Sequence, residues 1–327
     1  MANIIDTDFI AISQAVFDKI QGALDFDVYI KRAADAYTRL FTKGDTPDPE
    51  ILQRYKSTKG VEFLYVRKED YREYLLLVET LANRIFGTRD PNDKIPVDEM
   101  LDVLKETANL AVFEIIERTE VDQKSLHHAT QTIAGCLNIL AKDPKSFAKI
   151  FRIMGTRPYA MRHALTTSIF SLILGKIEQM ESNRNLLILG LGSLFHDIGM
   201  SMIPFDVESK YESLTPDEWK TVKEHTHLGK RMLENVKGVP TEVRLIIMQH
   251  HEQPNGSGYP NGLRGPQIYY PAKIVAIADV FSALTCQRPF RKEPFSPAKA
   301  LELMREDTGK FDHVLLDGFS KMFTKTE

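Results

Sequence analysis

The spacing of apolar residues changes along this chain, and the change divides it. Residues 25–30 and 36–41 alternate polar and apolar, the period of a half-buried strand, and a Lys43-Gly44-Asp45 turn follows the second. Pro49 and Glu50 open a helix over 49–55 that Lys59-Gly60 closes. Residues 61–66 read as a further strand and 69–86 as a helical run. The stretch before about Gly22 is only weakly periodic and receives no element. Together these segments predict a small α/β domain over residues 1–90. It holds no His or Cys through residue 86, which favours a regulatory or dimerising module over a catalytic one.

The turn-rich Gly87-Thr88-Arg89-Asp90-Pro91-Asn92-Asp93 marks the expected boundary. Beyond it the period is helical. Leu101, Leu104, Leu110, Val112, Phe113, Ile115 and Ile116 recur at helical spacing within 97–140, where His127-His128 is expected as a partly exposed pair. From residue 154 onward, five helical segments each place a polar group against an apolar pattern. Residues 158–176 carry His163, and 186–195 run into His196-Asp197. Thr215-Pro216-Asp217-Glu218 has the form of a capping box, and the helix it opens carries His225, with His227 turned to another face. A helix starting at Pro240 ends on His250-His251-Glu252, and the apolar run 272–284 is interrupted by Asp279.

A buried aspartate is costly unless it is paired or bound to a metal. Taken singly, His163 is explained as a satisfied core histidine, and Asp279 as the partner of a basic residue. Jointly, His163, His196, Asp197, His225, His250, His251 and Asp279 supply five imidazoles and two carboxylates at the ends or insides of apolar helices. That exceeds what one structural zinc needs. It suits two metals, roughly 3.5 to 4 Å apart, sharing a carboxylate bridge, an arrangement that activates water and clamps both oxygens of an in-line phosphoryl displacement.

Composition narrows the chemistry. With 327 residues, 43% hydrophobic and 27% charged, the chain can build a core that excludes water from a site. A net charge of -3 gives no general attraction to a nucleic acid polymer or an anionic membrane, so an anionic substrate needs a metal or a local basic patch. Arg288, Arg291 and Lys292 form such a patch after the Asp279 helix, and Lys273 is a further candidate. The N-terminus lacks the basic and apolar regions of a signal peptide, and no apolar run reaches the roughly 20 residues of a membrane span, so a cytoplasmic location is expected. Cys136 and Cys286 are distant in sequence and lack CxxC spacing, leaving nitrogen and oxygen as ligands, a set open to iron, manganese or zinc.

His196-Asp197-Ile198-Gly199, the helix with His225 four residues before Gly229, His250-His251-Glu252 and Gly256-Ser257-Gly258-Tyr259-Pro260 resemble the HD-GYP branch of the HD phosphohydrolase superfamily. Lys273 through Val280 and Arg288-Pro289-Phe290 extend the likeness over about residues 155–323, and the N-terminal strands with Lys59-Gly60-Val61 look like the small module that often precedes such a domain. The resemblance implies an all-helical metal-binding domain over 91–327 and a phosphodiesterase that hydrolyses cyclic di-GMP to pGpG or GMP, with hydroxide at the metals as nucleophile. His163, His196, Asp197 and Asp279 would hold one metal, and Asp197, His225, His250 and His251 the other, with iron expected first. His196 and Asp197 become the catalytic pair. Gly258, Tyr259 and Pro260 would shape the substrate site and, as in some relatives, meet diguanylate cyclase domains.

The chain departs from the family pattern at four positions. Met200 stands where a lysine usually faces the substrate phosphate, Asn255 where an acid is common, and Ser282 where a second acid follows Asp279. Tyr159 falls where three-metal members place a glutamate, which favours two metals. Met200 and Ser282 motivate the alternative reading, a low-activity receptor or scaffold that binds the nucleotide or a cyclase partner.

Overall fold

The computed structural model describes residues 8–324 apart from 18, 21, 34–35, 60, 62, 87–94, 119, 144–158, 208–209, 211 and 289–292. The expected boundary at 87–93 and the basic residues Arg291 and Lys292 therefore lie outside the described residues. Two compact units, 1–107 and 108–327, account for the chain, and the division falls inside helix α4 (Val97–Arg118).

In the first unit, strands β1 (Phe9–Ser13), β2 (Val28–Ala33), β3 (Ala36–Phe41) and β4 (Phe63–Arg67) form an antiparallel sheet in the order β1-β4-β2-β3. Strand β1 lies in the stretch that received no element from its pattern, and a single helical turn α1 (Gln14–Phe17) follows it. Its residues pair in continuous register with β4, from Phe9↔Arg67 to Ser13↔Phe63, so a partner fifty or more residues away makes it a strand. Leu64 and Val66 are buried while Phe63 and Tyr65 are half-buried, the period-two pattern of a sheet with one covered face. Helices α2 (Pro49–Lys59) and α3 (Tyr71–Phe86) add Leu52, Tyr74, Val78 and Leu81 to the core.

The second unit is helical. Helix α5 (Gln123–Lys142) is capped by Asp122, which accepts from the Ser125 amide at 2.7 Å. His127 is exposed, but His128 is fully buried, as are Ala129 and Thr132, and α5 packs against α7 (Asn183–Leu194). The pair is thus split between two faces rather than partly exposed throughout.

Helices α6 (Tyr159–Ile177) and α11 (Tyr270–Thr285) pack together and are apolar on nearly all sides, the mark of central helices. Phe170 of α6, Phe281 of α11 and Phe319 of α13 (His313–Thr324) meet edge to face at 4.9 to 5.6 Å and tie these elements together. Helices α8 (Pro216–Lys223), α9 (His225–Met232), α10 (Thr241–Gln249) and α12 (Pro297–Glu306) complete the unit. Among the described residues one apolar stretch, Asn183–Met202, does reach the length and hydropathy of a membrane span, contrary to the reading from the sequence, but 67% of its most apolar window is buried inside the protein.

Candidate metal centre

Helix α7 carries the central residues into the interior. Ser182 caps its start, its apolar residues from Leu186 to Leu194 are almost all buried, and His196-Asp197 follow just after its end. A short 3-10 turn, Ile198–Met202, then lies against α9. Gly199 makes that approach possible: a Cβ there would stand 2.0 Å from the His225 carbonyl oxygen and 2.6 Å from the Gly229 amide nitrogen. The expected single helix from Thr215 through His225 is broken at Glu224. Its amide donates back to Thr221 and Val222 carbonyls, ending α8 and starting α9 at His225. The capping box of Thr215 and Glu218 is present, and His227 is exposed.

Four elements or their ends converge on one carboxylate, and a fifth brings a second beside it. Asp197 Oδ2 faces His196 Nε2 at 3.3 Å and His163 Nε2 of α6 at 3.7 Å. Its other oxygen, Oδ1, faces His225 Nε2 at 3.3 Å and His250 Nε2, just after α10, at 3.7 Å. Asp279 of α11 approaches the first pair through Oδ1, 3.0 Å from His163 and 3.7 Å from His196, while its Oδ2 lies 3.9 Å from His251 Nδ1. Donor atoms of Asp197, His225, His250 and His251 all lie within 4.8 Å of one another, as do those of His163, His196 and Asp197. Asp197 belongs to both groups and is 34% exposed, whereas His196 and His250 are closed from solvent.

The tautomers show what the cluster fits. The Nδ1 atoms of His196, His225 and His250 lie 2.7 to 2.8 Å from the carbonyl oxygens of Ser193, Val222 and Ile247, each three residues earlier. A carbonyl only accepts, so each Nδ1 carries a proton, and Nε2 is the nitrogen that each ring has left to offer a ligand. His225 Nε2 and His250 Nε2 lie 3.4 Å apart, with Asp197 Oδ1 3.3 Å from the first and 3.7 Å from the second, so three potential ligand atoms face one another. A cation fits among these atoms, a second fits among His163, His196 and Asp197, and Asp279 groups with His196 and His250 between the two.

Protonation follows the same logic. Burial, with His250 adding to it, pushes His225 and His251 below the ordinary histidine range, so both stay neutral and able to ligate. Burial opposes ionisation of Asp197 and Asp279, but His196 facing the first and His163 and His196 facing the second outweigh it and hold both well below the usual carboxylate range. The same carboxylates outweigh burial at His196 and raise it well above the usual value.

His163 is oriented by a residue that the sequence marks only as a departure. Ser282 Oγ lies 2.9 Å from His163 Nδ1 and is fully buried, so the hydroxyl at this position contacts the ligand ring directly. Ser282→Ala is expected to weaken metal binding about 10- to 100-fold, while Ser282→Asp keeps it, as read by competition with a chromogenic chelator. Tyr159 stacks on the other side of the His163 ring at 5.2 Å. Arg288 lies 4.6 Å over Tyr159 and donates to its hydroxyl, which sets this cation at the His163 side of the cluster. Lys273, by contrast, pairs with Asp312 at 3.3 Å, six residues before Asp279 on α11 and therefore on a different face.

A loop bearing Gly258, Tyr259 and Pro260 borders the His251 side. Buried Glu252 accepts from the Asn261 amide at 2.7 Å and the Leu263 amide at 2.8 Å, closing the loop upon itself. Asn255 accepts from the Ser257 amide at 2.9 Å, so the amide side chain organises the turn where an acid was expected. A Cβ on Gly258 would lie 2.3 Å from the Gln253 amide and 2.5 Å from the His251 carbonyl, which requires glycine. The Tyr259 ring consequently sits 4.7 Å from that of His251, and Pro260 follows through a cis peptide.

Residues 153–315 match the family model described as HD domain. The chain is 30% identical over 195 residues to "Cyclic di-GMP phosphodiesterase PA4108" of Pseudomonas aeruginosa, covering 59% of this chain and 46% of that protein. It is 30% identical over 204 residues to "Cyclic di-GMP phosphodiesterase response regulator RpfG" of Xanthomonas campestris, covering 60% of this chain and 52% of the relative. It thus spans about half the length of these curated relatives. Among solved structures, "Bd1817, a HDG"Y"P protein from Bdellovibrio bacteriovorus" shares the fold with a TM-score of 0.69 and 21% identity, over 97% of this chain and 100% of that one.

Proposed function

The chain belongs to the HD domain family, and from that premise we propose that it binds two divalent metal ions and hydrolyses cyclic di-GMP to pGpG or GMP. One observation carries the proposal: the two oxygens of Asp197 are divided between two sets of imidazoles whose Nε2 lone pairs face inward. The names of the relatives supply the substrate class.

In this reading His163, His196, Asp197 and Asp279 would hold one metal, and Asp197, His225, His250 and His251 the other. The metals supply Lewis acidity for a phosphoryl oxygen and lower the pKa of water, which is what phosphodiester hydrolysis needs near neutral pH. The chain's own residues do the rest. The three Nδ1 to carbonyl bonds stop His196, His225 and His250 from turning away from the centre. Asp197, ionised and partly exposed, forms the floor over which the substrate phosphate enters. Arg288 offers a fixed cation to that phosphate at the His163 side, and Tyr259 shields the His251 side from water.

Iron as the resident metal and docking of diguanylate cyclase domains on the Gly258–Pro260 loop are finer parts of the proposal, supported by the motif resemblance alone; a cytoplasmic location is a further part, carried from the sequence pattern. Incubation of the metal-loaded protein with cyclic di-GMP, followed by anion-exchange separation, is expected to release a linear product. No cleavage with iron, manganese or zinc, in either iron oxidation state, contradicts the proposal.

A further inference from the structure

An aromatic corner borders the centre on a side that metal binding does not use. Trp219, the only tryptophan in the chain, lies on α8 and is 45% exposed. Its ring meets Tyr259 edge to face at 6.3 Å and 76°, so the two rings form an open corner rather than a closed stack. Tyr259 lies 4.7 Å from the ring of His251 and 6.2 Å from that of His225, which places the corner directly beside one half of the cluster. Lys223, one turn after Trp219, brings its ammonium to 5.4 Å from the Tyr259 ring and 5.8 Å from the Trp219 ring.

The segment is held in place. Thr215 and Glu218 form a reciprocal cap at the start of α8, and Lys210 pairs with the Glu218 carboxylate. A large apolar ring fixed in a half-exposed position, beside a second ring and a cation, suits a flat nucleobase attached to a phosphodiester.

We infer that Trp219, with Tyr259 and Lys223, forms a purine-stacking subsite that holds one base of a cyclic dinucleotide while its phosphate lies at the metal centre; this rests on the proposed phosphodiesterase reading. Stacking accepts either purine face, so the subsite favours bis-purine cyclic dinucleotides over base-free diesters without choosing guanine over adenine. Lys223 supplies the positive charge next to the sugar-phosphate ring, a role for which Met200 has no charge.

Because Trp219 is the only tryptophan, its fluorescence reports the subsite without turnover. Titration of the metal-loaded full chain with the bis-phosphorothioate analogue of cyclic di-GMP is expected to quench that emission saturably. Trp219→Ala is expected to raise KM for cyclic di-GMP about 5- to 100-fold and to lower its kcat/KM relative to that for bis(p-nitrophenyl) phosphate, while Trp219→Phe recovers part of the loss. Unchanged emission at saturating analogue, with KM for Trp219→Ala within twofold of wild type, overturns the inference and leaves the phosphodiesterase reading standing. A wild-type protein that neither binds the analogue nor cleaves cyclic di-GMP overturns both.

Discussion

Asp197→Asn is expected to empty both halves of the centre and to lower phosphodiesterase activity about a thousandfold or more. The aspartate presents Oδ2 to His163 and His196 and Oδ1 to His225 and His250, all within 3.7 Å, closer to the second set than Asp279 comes. An asparagine keeps the shape but offers a single acceptor, its NH2 facing lone pairs it cannot replace as a ligand. It also removes one of two negative charges set among five histidines. Loss of several kcal/mol of charge stabilisation corresponds to roughly three decades in rate. Metal content by mass spectrometry should fall towards zero with an unchanged circular dichroism spectrum. Retention of two metals would contradict the assignment of Asp197 as the bridge. His251→Ala should be milder, since His251 is 27% exposed and stands 3.9 Å from Asp279.

Gly199→Ala is expected to be nearly as damaging, by a different route. The added methyl would sit 2.0 Å from the carbonyl of His225 itself, and what it meets is backbone, which cannot rotate aside. Either the Ile198–Met202 turn or α9 must shift, and either shift moves Asp197 relative to His225. Overpacking of this kind costs about 3 kcal/mol. For a unit of this size that lowers Tm by about 6 to 12 °C. Metal should be lost first from the His225 half. A variant with wild-type Tm and metal content would show that the close approach is not required.

Much of this was legible because the determining signals are local. Strands β2, β3 and β4 and helices α2 and α3 follow the apolar period to within a few residues. His163, His196, His250 and Asp279 were conspicuous because each interrupts or ends an apolar helix, whereas His225 opens a polar one, and all of them are buried in one cluster. What escaped was set by packing between distant segments. Ser282 reaches His163 across 119 residues, so a position that looked like a lost acid is in fact a contact to a ligand, and one of the two reasons for the low-activity alternative weakens. Met200 remains as the other.

Other features depended on loop geometry that no period encodes. Glu252 was visible only as part of a motif, because its role is to hold amides nine and eleven residues later. The break at Glu224 has no Gly or Pro to announce it, and a helical pattern runs through it unaltered. Yet the break brings the His225 ring nitrogen to the Val222 carbonyl, which sets the tautomer. Lys273 shared a helix with Asp279 in the sequence, but six residues turn it to another face and into a pair with Asp312.

The most direct test of the account is a titration of metal-stripped protein with ferrous iron under anaerobic conditions, with cyclic di-GMP turnover recorded at each step. The account predicts that hydrolysis rises to its plateau at two equivalents of metal per chain and that the first product is linear. A plateau at one equivalent, or two bound equivalents with cyclic di-GMP left intact, would contradict it.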